Sequence, residues 1–468
     1  MPFLGTTGGG SVKQYGGQAN LGYFIKNSLR LRSSASGYLN RTLSLSNRQT
    51  WTYSVWAKLG AYSSSNGNNI FCAGDGQSGT DFESRIDATT PAFKIVDQVS
   101  GTPNLLLLTT QVFRDPAAWY HVVIAIDTTQ ATASNRAKLY INGVQVTSFS
   151  TATYPTQNYN TNVNTAVIHW IGALNLSGSA ARTYDGYLAE FNFIDGQALT
   201  PSSFGKTDAV TNQWIPKKFA GTYGTNGFYL KFADASAATA AAIGKDSSGN
   251  GNNFTPNNIS VTAGATYDAM IDSPSLSAVA SNYPTWNPLD GAGSQTTYSN
   301  GNLEATVSGN PAIAFTTMAT PTTGKWYCEF TVGGTAQNGG DWMIGISDAT
   351  KSLTERNWSG ASGWFLYGEG TKYNNGTGVG GWSVSYTSGD VIGVAVDLDV
   401  GTLSFYKNGT NLGVAYDTGI AGKSMLFALG TGTGSLSQYQ AARINCGQRP
   451  FAHTPPSGFK SLNTFNLP

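Results

Sequence analysis

The sequence predicts an all-β protein made of two β-sandwich (jelly-roll) domains in tandem, joined by a short connector. One sheet-building unit occurs twice: an apolar strand ends at an aspartate, and a second strand runs into an Asn-Gly turn. These units are residues 119–127 with 138–146, and residues 389–397 with 403–413. Asn and Gly accept positive φ at both central positions of a two-residue turn. Asn142-Gly143 and Asn408-Gly409 therefore each predict a tight hairpin.

Composition also favours a folded, turn-rich β protein. Charged residues are 11% of the chain, against about 25% in ordinary soluble proteins. The 57 glycines indicate many turns, and the 12% aromatic residues can fill cores and contact ligands. A net charge of +1 argues against nucleic acid as a partner, because proteins that bind it concentrate positive charge. This composition is typical of proteins that work outside the cytosol.

The cysteines and the N-terminal residues narrow the cellular setting. Cys72, Cys328 and Cys446 are odd in number and widely spaced, so we expect buried free thiols and no disulfide framework or zinc site. Residues 1–20 are Gly-rich without an apolar core, so we expect no signal peptide there. No run reaches the ~18 apolar residues of a membrane span. A virion protein, assembled inside a cell and released by lysis, would reconcile external adaptation with the lack of an export signal.

Turn clusters and strand patterns divide the chain into five predicted segments. They are an N-terminal arm (1–24), a first jelly roll (25–205), a connector (206–284), a second sandwich (285–448) and an extended tail (449–468). Within the connector, alanine-rich residues 234–243 predict a short helix.

The first sandwich carries a set of motifs in a defined order. They are Tyr38-Leu39 with Arg41-Thr42, Trp51 and Trp56, Trp119-Tyr120-His121, Tyr140-Ile141-Asn142-Gly143, and residues 187–196 followed by Leu199-Thr200-Pro201. This set resembles the concanavalin A-like, laminin G-type domains of bacteriophage structural proteins. The resemblance implies a two-sheet jelly roll that binds glycans or other proteins.

The second sandwich resembles a different family. The ordered elements are residues 324–330, 342–348, 363–367, 389–397 and 403–409. In this order they resemble a SPRY domain, which implies a twisted β-sandwich whose loops bind protein or peptide partners. The connector and the tail are similar to the corresponding segments of phage proteins of this type.

The sequence offers little for catalysis, and we expect no catalytic residues and no enzyme activity. His121, His169 and His453 lie far from any nucleophile or metal motif. Residues 190–195 resemble the Glu-x-Asp-x-x-Glu strand of glycosidases on concanavalin-like jelly rolls, which need paired carboxyls. Here Asn192 replaces the central acid and Asp195 the last one, so a scaffold role for Glu190 is favoured. A polysaccharide depolymerase remains the alternative.

Binding residues are predicted in the loops of the second sandwich. Aromatic side chains in Gly/Ser/Asn-rich segments can stack on sugars or anchor a protein partner. The candidates are Trp358, Trp364, Tyr367, Tyr373 and Trp382. Asp75, Asp81 and Glu83 could hold calcium, but a solvated turn is favoured. Residues 246–254, rich in Asp, Asn and Gly, are likewise interpreted as a turn. No metal and no cofactor are therefore expected.

These observations together predict a bacteriophage virion structural protein, a tail or head fibre component. Its expected partners are other virion proteins and a host-surface glycan, with no nucleic acid and no membrane insertion. A purely structural decoration or connector protein is a further alternative. The resemblance to phage fibres also implies a homo-oligomer, expected to be a trimer.

Overall fold

A computed structural model describes residues 23–60, 67–87, 90–292, 296–307, 312–334, 342–379, 382, 384–431 and 440–468. The chain divides into two compact units. The first runs through Val261 and includes Asp268–Ser281, and the second comprises Asn282–Pro468 with Thr262–Tyr267. Of the predicted arm 1–24, all but Tyr23 and Phe24 lies outside the described residues.

Unit one is built from short strands. They are β1 Ser28–Leu31, β2 Tyr38–Thr42, β3 Thr50–Leu59, β4 Asn68–Asp75, β5 Thr80–Ile86, β6 Ala92–Val99, β7 Thr102–Val112, β8 Trp119–Asp127, β9 Ala137–Ile141, β10 Val144–Gln145, β11 Phe149–Thr153, β12 Ile168–Ile171, β13 Leu174–Leu176, β14 Ser179–Ala181, β15 Gly186–Asp195, β16 Gly205–Thr207, β17 Trp214–Pro216, β18 Phe228–Leu230, β19 Thr255–Asn257 and β20 Ala269–Met270.

Two antiparallel sheets form the sandwich of unit one. One has the order β10-β9-β8-β3-β15-β1-β20, with β18 also paired to β15, and the other has the order β11-β7-β6-β5-β4-β12-β2-β19. Alternate residues of each strand point between the sheets. The ring of Phe71 lies within contact distance of the rings of Tyr53, Phe82, Phe191 and Phe193, at centroid separations of 5.6, 6.2, 5.8 and 5.9 Å. This aromatic layer is the centre of the core.

Residues 206–284, the predicted connector, contribute strands to unit one. β18 extends the sheet beside β15, β19 pairs with β2, and β20 pairs with β1. The fully buried ion pair between Lys58 Nζ and Asp272 Oδ2, at 2.9 Å, joins this segment to β3. The helix predicted over residues 234–243 is wrong. Those residues form bends and turns, because about ten alanine-rich residues without an amphipathic face are marginal as a helix.

Unit two is a second all-β body. Its strands are β21 Trp286–Ala292, β22 Thr296–Ser299, β23 Glu304–Val307, β24 Ile313–Thr316, β25 Lys325–Gly334, β26 Trp342–Asp348, β27 Gly363–Tyr367, β28 Lys372–Asn374, β29 Thr377–Val379, β30 Val391–Asp397, β31 Thr402–Lys407, β32 Thr410–Tyr416, β33 Met425–Thr431, β34 Gln440–Asn445 and β35 Lys460–Ser461, and its short helix is α1 Leu353–Arg356.

Two sheets again face each other in unit two. Their orders are β21-β24-β33-β26-β27-β28-β29 and β22-β23-β34-β25-β30-β31-β32, with β35 added in parallel to β25. The prediction of an all-β fold with two sandwiches is therefore confirmed. In the parts of the chain that the structure describes, no helix has the length and apolar character needed to span a bilayer.

Both predicted hairpins are confirmed. Asn142 and Gly143 have φ of 49° and 83°, and Asn408 and Gly409 have φ of 48° and 81°. These turns join β9 to β10 and β31 to β32. Positive φ at both central positions is the geometry that matches the twist of the flanking strands.

One cysteine prediction is wrong. Cys328 and Cys446 form a disulfide, with Cα atoms 4.4 Å apart, whereas Cys72 is a buried free thiol as predicted. Cys328 lies on β25, and Cys446 directly follows β34, the strand paired with β25. Sequence separation concealed the pairing, because sheet register rather than proximity along the chain places the two residues opposite each other.

Candidate functional site

The outer face of one sheet in unit two carries its own apolar layer. On β33, Phe427 points into the sandwich and meets Phe330 of the other sheet at 6.4 Å between ring centroids. Its neighbours Leu426 and Ala428 therefore point outward, because successive side chains of a strand alternate. They belong to a buried cluster of six side chains: Ile313, Phe315, Met343, Phe365, Leu426 and Ala428.

Three half-buried aromatic residues cover part of this layer. We call Trp358, Tyr367 and Tyr373 the three-ring group; all three pack against the outward-facing cluster. The Tyr373 ring stands edge-on to Trp358, at 5.9 Å and 86°, and edge-on to Tyr367, at 5.7 Å and 81°. Edge-to-face contacts of this kind fix ring orientation while leaving ring surface open to a partner.

Hydrogen bonds hold the loop that carries Trp358. The side-chain oxygen of Asn357 accepts from the backbone N–H groups of Ser359 and Gly360, at 2.9 and 3.0 Å. The carbonyl of Trp358 accepts from the N–H of Gly376, at 3.1 Å, in the turn between β28 and β29. The loop is thus tied to the strand that carries Tyr373, and the three rings are held as one arrangement.

A charged pair that the sequence analysis missed lies beside these rings. Arg356 places its guanidinium carbon 4.3 Å from the ring centroid of Phe315. Its Nη1 and Nη2 donate to Asp290 Oδ2 and Oδ1 at 3.0 and 2.6 Å, a two-pronged ion pair. The spacing of Ser352 and Glu355, which form a capping box at the start of α1, could have indicated the helix that positions Arg356.

The other two predicted aromatic residues have different surroundings. Trp364 is a core residue: it is only 4% exposed, and Lys423 Nζ lies 5.1 Å from its ring centroid. Its selection as a binding residue is therefore corrected, because its position on β27 alternates with the outward-facing Phe365 and Tyr367. Trp382 is half-buried and stands edge-on to Phe405 at 6.1 Å.

In unit one, Glu190 is built into the scaffold. It has φ of 51°, and the register between β15 and β3 shifts between Ala189 and Asn192, so Glu190 sits at a β-bulge. The hydroxyl of Tyr229 donates to Glu190 Oε1 at 2.5 Å, and the hydroxyl of Tyr23 donates to the same atom. Burial raises the pKa of the Glu190 carboxyl above its usual range.

The remaining polar residues of the glycosidase-like strand also have structural partners. Asn192 Oδ1 accepts from the Tyr223 hydroxyl at 2.9 Å. Asp195 accepts from Asn164 Nδ2 at 2.9 Å and from the backbone N–H of Asn226 at 3.0 Å. Each of the two carboxylates is therefore held by its own hydrogen-bonding partners rather than paired with the other across an open groove.

Ser54 and His121 in unit one lie at hydrogen-bonding distance, but the direction of their hydrogen bond is not that of a catalytic pair. Trp214 Nε1 can only donate, so His121 Nδ1 accepts from it at 2.9 Å. Nε2 of the neutral ring then carries the proton and donates to Ser54 Oγ at 2.8 Å. A catalytic histidine would accept from the serine instead. Burial also lowers the pKa of His121 to about 3, so the ring stays neutral.

The acidic residues considered for calcium do not form one site. Asp75 Oδ1 accepts from the N–H groups of Gln77 and Ser177, at 3.0 and 2.9 Å, and so holds turns. Glu83 is bound by Arg182 Nη1 at 2.7 Å. Burial, with a further contribution from Glu83, raises the pKa of Asp81 to about 7. Within the described ranges, no group of three His, Cys, Asp or Glu side chains could hold a metal ion.

The Asp/Asn/Gly run after residue 245 is a hydrogen-bonded turn. The Asp246 carboxylate accepts from the backbone N–H groups of Tyr229, Ser248 and Asn252 at 2.8, 2.8 and 2.9 Å. It also accepts from Ser248 Oγ at 2.8 Å. Four donors around one carboxylate account for the acidic residue without a cation.

Comparison with known proteins gives a domain assignment for each unit. Residues 32–203 match the family model described as the concanavalin A-like lectin/glucanases superfamily, a laminin G-type model, and residues 325–448 match the model of the SPRY domain. An 83-residue stretch is 41% identical to E3 ubiquitin-protein ligase RKP of Arabidopsis thaliana. That stretch is 17% of this chain and spans only 6% of the plant protein.

Two solved structures are similar over about a third of the chain. The SPRY domain of human HERC1 is 18% identical, with a TM-score of 0.30, and the match covers 34% of this chain and 96% of that one. The TRIM65 PSpry domain is 15% identical, with a TM-score of 0.28, and the match covers 35% of this chain and 92% of that one. On the two family-model matches, the chain contains a concanavalin A-like, laminin G-type domain at residues 32–203, followed by a SPRY domain at residues 325–448.

Proposed function

We propose that this chain is a non-catalytic recognition protein and that the three-ring group is the contact point of its SPRY domain. The observation that carries the proposal is that Trp358, Tyr367 and Tyr373 are half-buried, in mutual contact and seated on a rigid sheet. Aromatic residues held in this way supply large contact areas at low entropic cost, and such residues dominate binding energies at interfaces.

The setting that we propose is the bacteriophage virion, with the chain as a tail or head fibre component. The resemblance of the first sandwich, the connector and the tail to segments of phage structural proteins supports this setting, as does the low charged fraction of 11%. In it, the partner is a host-surface glycan or a neighbouring virion protein, and the chain assembles as a homo-oligomer, with three copies as the expected number. A purely structural decoration or connector protein would use the same rings against a neighbouring subunit.

The partners of Glu190 support recognition over cleavage. A depolymerase on this jelly roll needs an accessible acid and a second carboxylate nearby. Glu190 is instead 8% exposed and bound by two tyrosine hydroxyls, and Asp195 is hydrogen-bonded to Asn164 and Asn226. We therefore propose no catalytic function for this strand.

Substitution at the three-ring group tests the proposal. Trp358→Ala should weaken binding to host cells or to purified particles that lack this protein by about tenfold or more, as expected for an aromatic anchor. Phe459→Ala removes a half-buried aromatic ring from the C-terminal tail of unit two and is the control, with little change expected. Circular dichroism establishes that both variants fold.

Equal binding by the wild type, Trp358→Ala and Phe459→Ala would exclude the three-ring group as the contact point. Binding to particles without binding to host cells or glycan arrays would identify the neighbouring virion protein as the partner. Absence of the chain from purified particles, by mass spectrometry, would refute the virion setting.

A further inference from the structure

Unit one contains an open cavity that neither the sequence motifs nor the three-ring group involves. It has a volume of about 420 Å³ and lies between the segment after β18 and the turn before Asp246. Lys231 and Lys245 line it, together with Asp234, Ser247 and three alanines, Ala233, Ala235 and Ala242. A cavity of this size can accommodate one or two sugar rings.

The charge around the cavity favours an anion. Its charged lining residues are two lysines, Lys231 and Lys245, and one aspartate, Asp234, which leaves one net positive charge. Asp234 is already engaged, because its Oδ1 accepts from the N–H and the hydroxyl of Ser236 at 3.0 and 2.5 Å. These hydrogen bonds hold the pKa of Asp234 below its usual range, so its charge opposes an anion and partly offsets the lysines.

A row of aromatic rings leads to the cavity. Lys231 Nζ lies 5.1 Å from the ring centroid of Tyr229. Tyr223 stacks parallel to Tyr229 at 6.2 Å, and Phe219 stands edge-on to Tyr223 at 5.1 Å. Tyr223 and Phe219 are half-buried and pack against the buried cluster that includes Phe204, which holds the two rings in place. Aromatic faces match the apolar faces of sugar rings, whereas a bare phosphate or chloride would make no use of them.

We infer that this cavity, with its ring row, binds an acidic saccharide, whose carboxylate lies between Lys231 and Lys245 while neighbouring sugars pass over Tyr223 and Phe219. This inference rests on the proposed recognition function and names the ligand class of unit one. The charged residues that line the cavity are two lysines and one aspartate, so the site suits one negative group rather than a polyanion.

Binding of a defined oligosaccharide to the full chain tests the inference. Calorimetry at low salt should detect trigalacturonic acid, and galactotriose, its neutral counterpart, should bind more weakly. Lys245→Gln should weaken binding of the acidic sugar about fivefold, the size expected for one exposed ion pair. Asp234→Asn keeps the acceptor for Ser236 and removes the opposing charge, so it should strengthen binding about twofold to fivefold.

Lys351→Gln is the matched control, because it removes the same charge at an exposed position of unit two. Absence of binding, equal affinity for the two sugars, no effect of Lys245→Gln, or an equal loss in Lys351→Gln would each overturn the inference. The Trp358→Ala variant separates this result from the proposed function. Loss of partner binding in Trp358→Ala without saccharide binding at the cavity would refute the saccharide site alone.

Discussion

At the residue scale, the buried Asp81 carboxyl has a hydrogen-bond donor for one of its two oxygens. Its Oδ1 accepts from Gln98 Nε2 at 2.8 Å, whereas its Oδ2 is buried and has no hydrogen-bond donor among the described residues. Glu83 is its acidic neighbour and is neutralised by Arg182 and Arg85. Protonation of Asp81 Oδ2 gives this oxygen a partner, because it can then donate a hydrogen bond to the Glu83 carboxylate.

The pH dependence of stability follows from this proton. The folded pKa of Asp81, about 7, is above its unfolded value of 3.8. Its stabilising contribution is therefore fully present below pH ~4 and is lost as pH rises through ~7. Asp81→Asn places an N–H where the protonated oxygen would be, so the variant should not lose this contribution. Thermal denaturation of the full chain from pH 5 to pH 8 should show the melting temperature of Asp81→Asn rising relative to wild type as pH increases.

Between pH 5 and pH 8 the difference in unfolding free energy should shift in favour of the variant by about 2 to 3 kcal/mol, most of it below pH 7. Gln98→Ala is a useful comparison, because it removes the hydrogen bond to Oδ1 without removing the titrating group. A constant difference between Asp81→Asn and wild type across this pH range would contradict the shared proton.

At the element scale, the two Asn-Gly turns use the same device. Asn142 Oδ1 accepts from the N–H of His121 at 2.7 Å, and Asn142 N–H donates to the His121 carbonyl at 2.9 Å. Asn408 makes the equivalent pair with Val391, at 2.8 Å for both bonds. The asparagine side chain thus extends by one residue the hydrogen-bond ladder to the preceding strand, β8 for Asn142 and β30 for Asn408, and this stabilisation adds to that of the favoured positive φ.

Substitution of these asparagines should have unequal costs. Asn142→Ala loses the favoured left-handed residue and leaves the partly buried His121 N–H without its acceptor, so we expect a loss of about 2 kcal/mol in the free energy of unfolding. Asn408→Ala should cost about 1 kcal/mol, because the Val391 N–H is exposed and can bond to water. Chemical denaturation of the two variants measures the difference. Equal costs would show that the turn conformation alone matters.

Predictions at this scale succeed where the signal is local. The Asn-Gly turns are encoded within a few residues, and the structure places them as predicted. The helix over residues 234–243 failed because propensity without an apolar face does not outweigh tertiary packing. There, Phe232 and Ile243 are buried as anchors, at 1% and 0% exposure, and the chain between them forms turns.

At the scale of the whole molecule, the disulfide joins two strands of unit two that are 118 residues apart in sequence. A crosslink closing a loop of this length restricts the unfolded chain, by up to about 4 to 5 kcal/mol in the chain-entropy model. Cys328→Ser with Cys446→Ser should therefore lower the melting temperature of unit two. Alkylation followed by mass spectrometry of the denatured protein should add one label without reductant, at Cys72, and three labels after reduction.

Three labels without reductant would show that the disulfide is absent in the protein as purified. Labelling of Cys72 in the native protein should be slow, because this thiol is buried and burial raises its pKa. The double serine variant is the control for labelling at positions 328 and 446.

Long-range features limited prediction of the candidate site. The aromatic types at Trp358, Tyr367 and Tyr373 were visible in the sequence, but their mutual contact depends on the pairing of β27 with β28. Trp364 alternates with Phe365 along β27 and therefore points into the core. The fold brings Arg356 to Asp290 across 66 residues, and it brings Lys231 to the same cavity as Lys245 across 14 residues. No local spacing in the sequence could identify either pair.

An assay of reducing ends distinguishes recognition of a polysaccharide from its cleavage. Host-surface polysaccharide that binds the chain is incubated with the protein at near-stoichiometric concentration, and newly formed reducing sugar is measured over hours. We expect bound polysaccharide and no increase in reducing ends, with Glu190→Gln indistinguishable from wild type. Release of reducing sugar by the wild type, abolished in a folded Glu190→Gln variant, would show that the protein is a depolymerase and would refute a purely recognitive role.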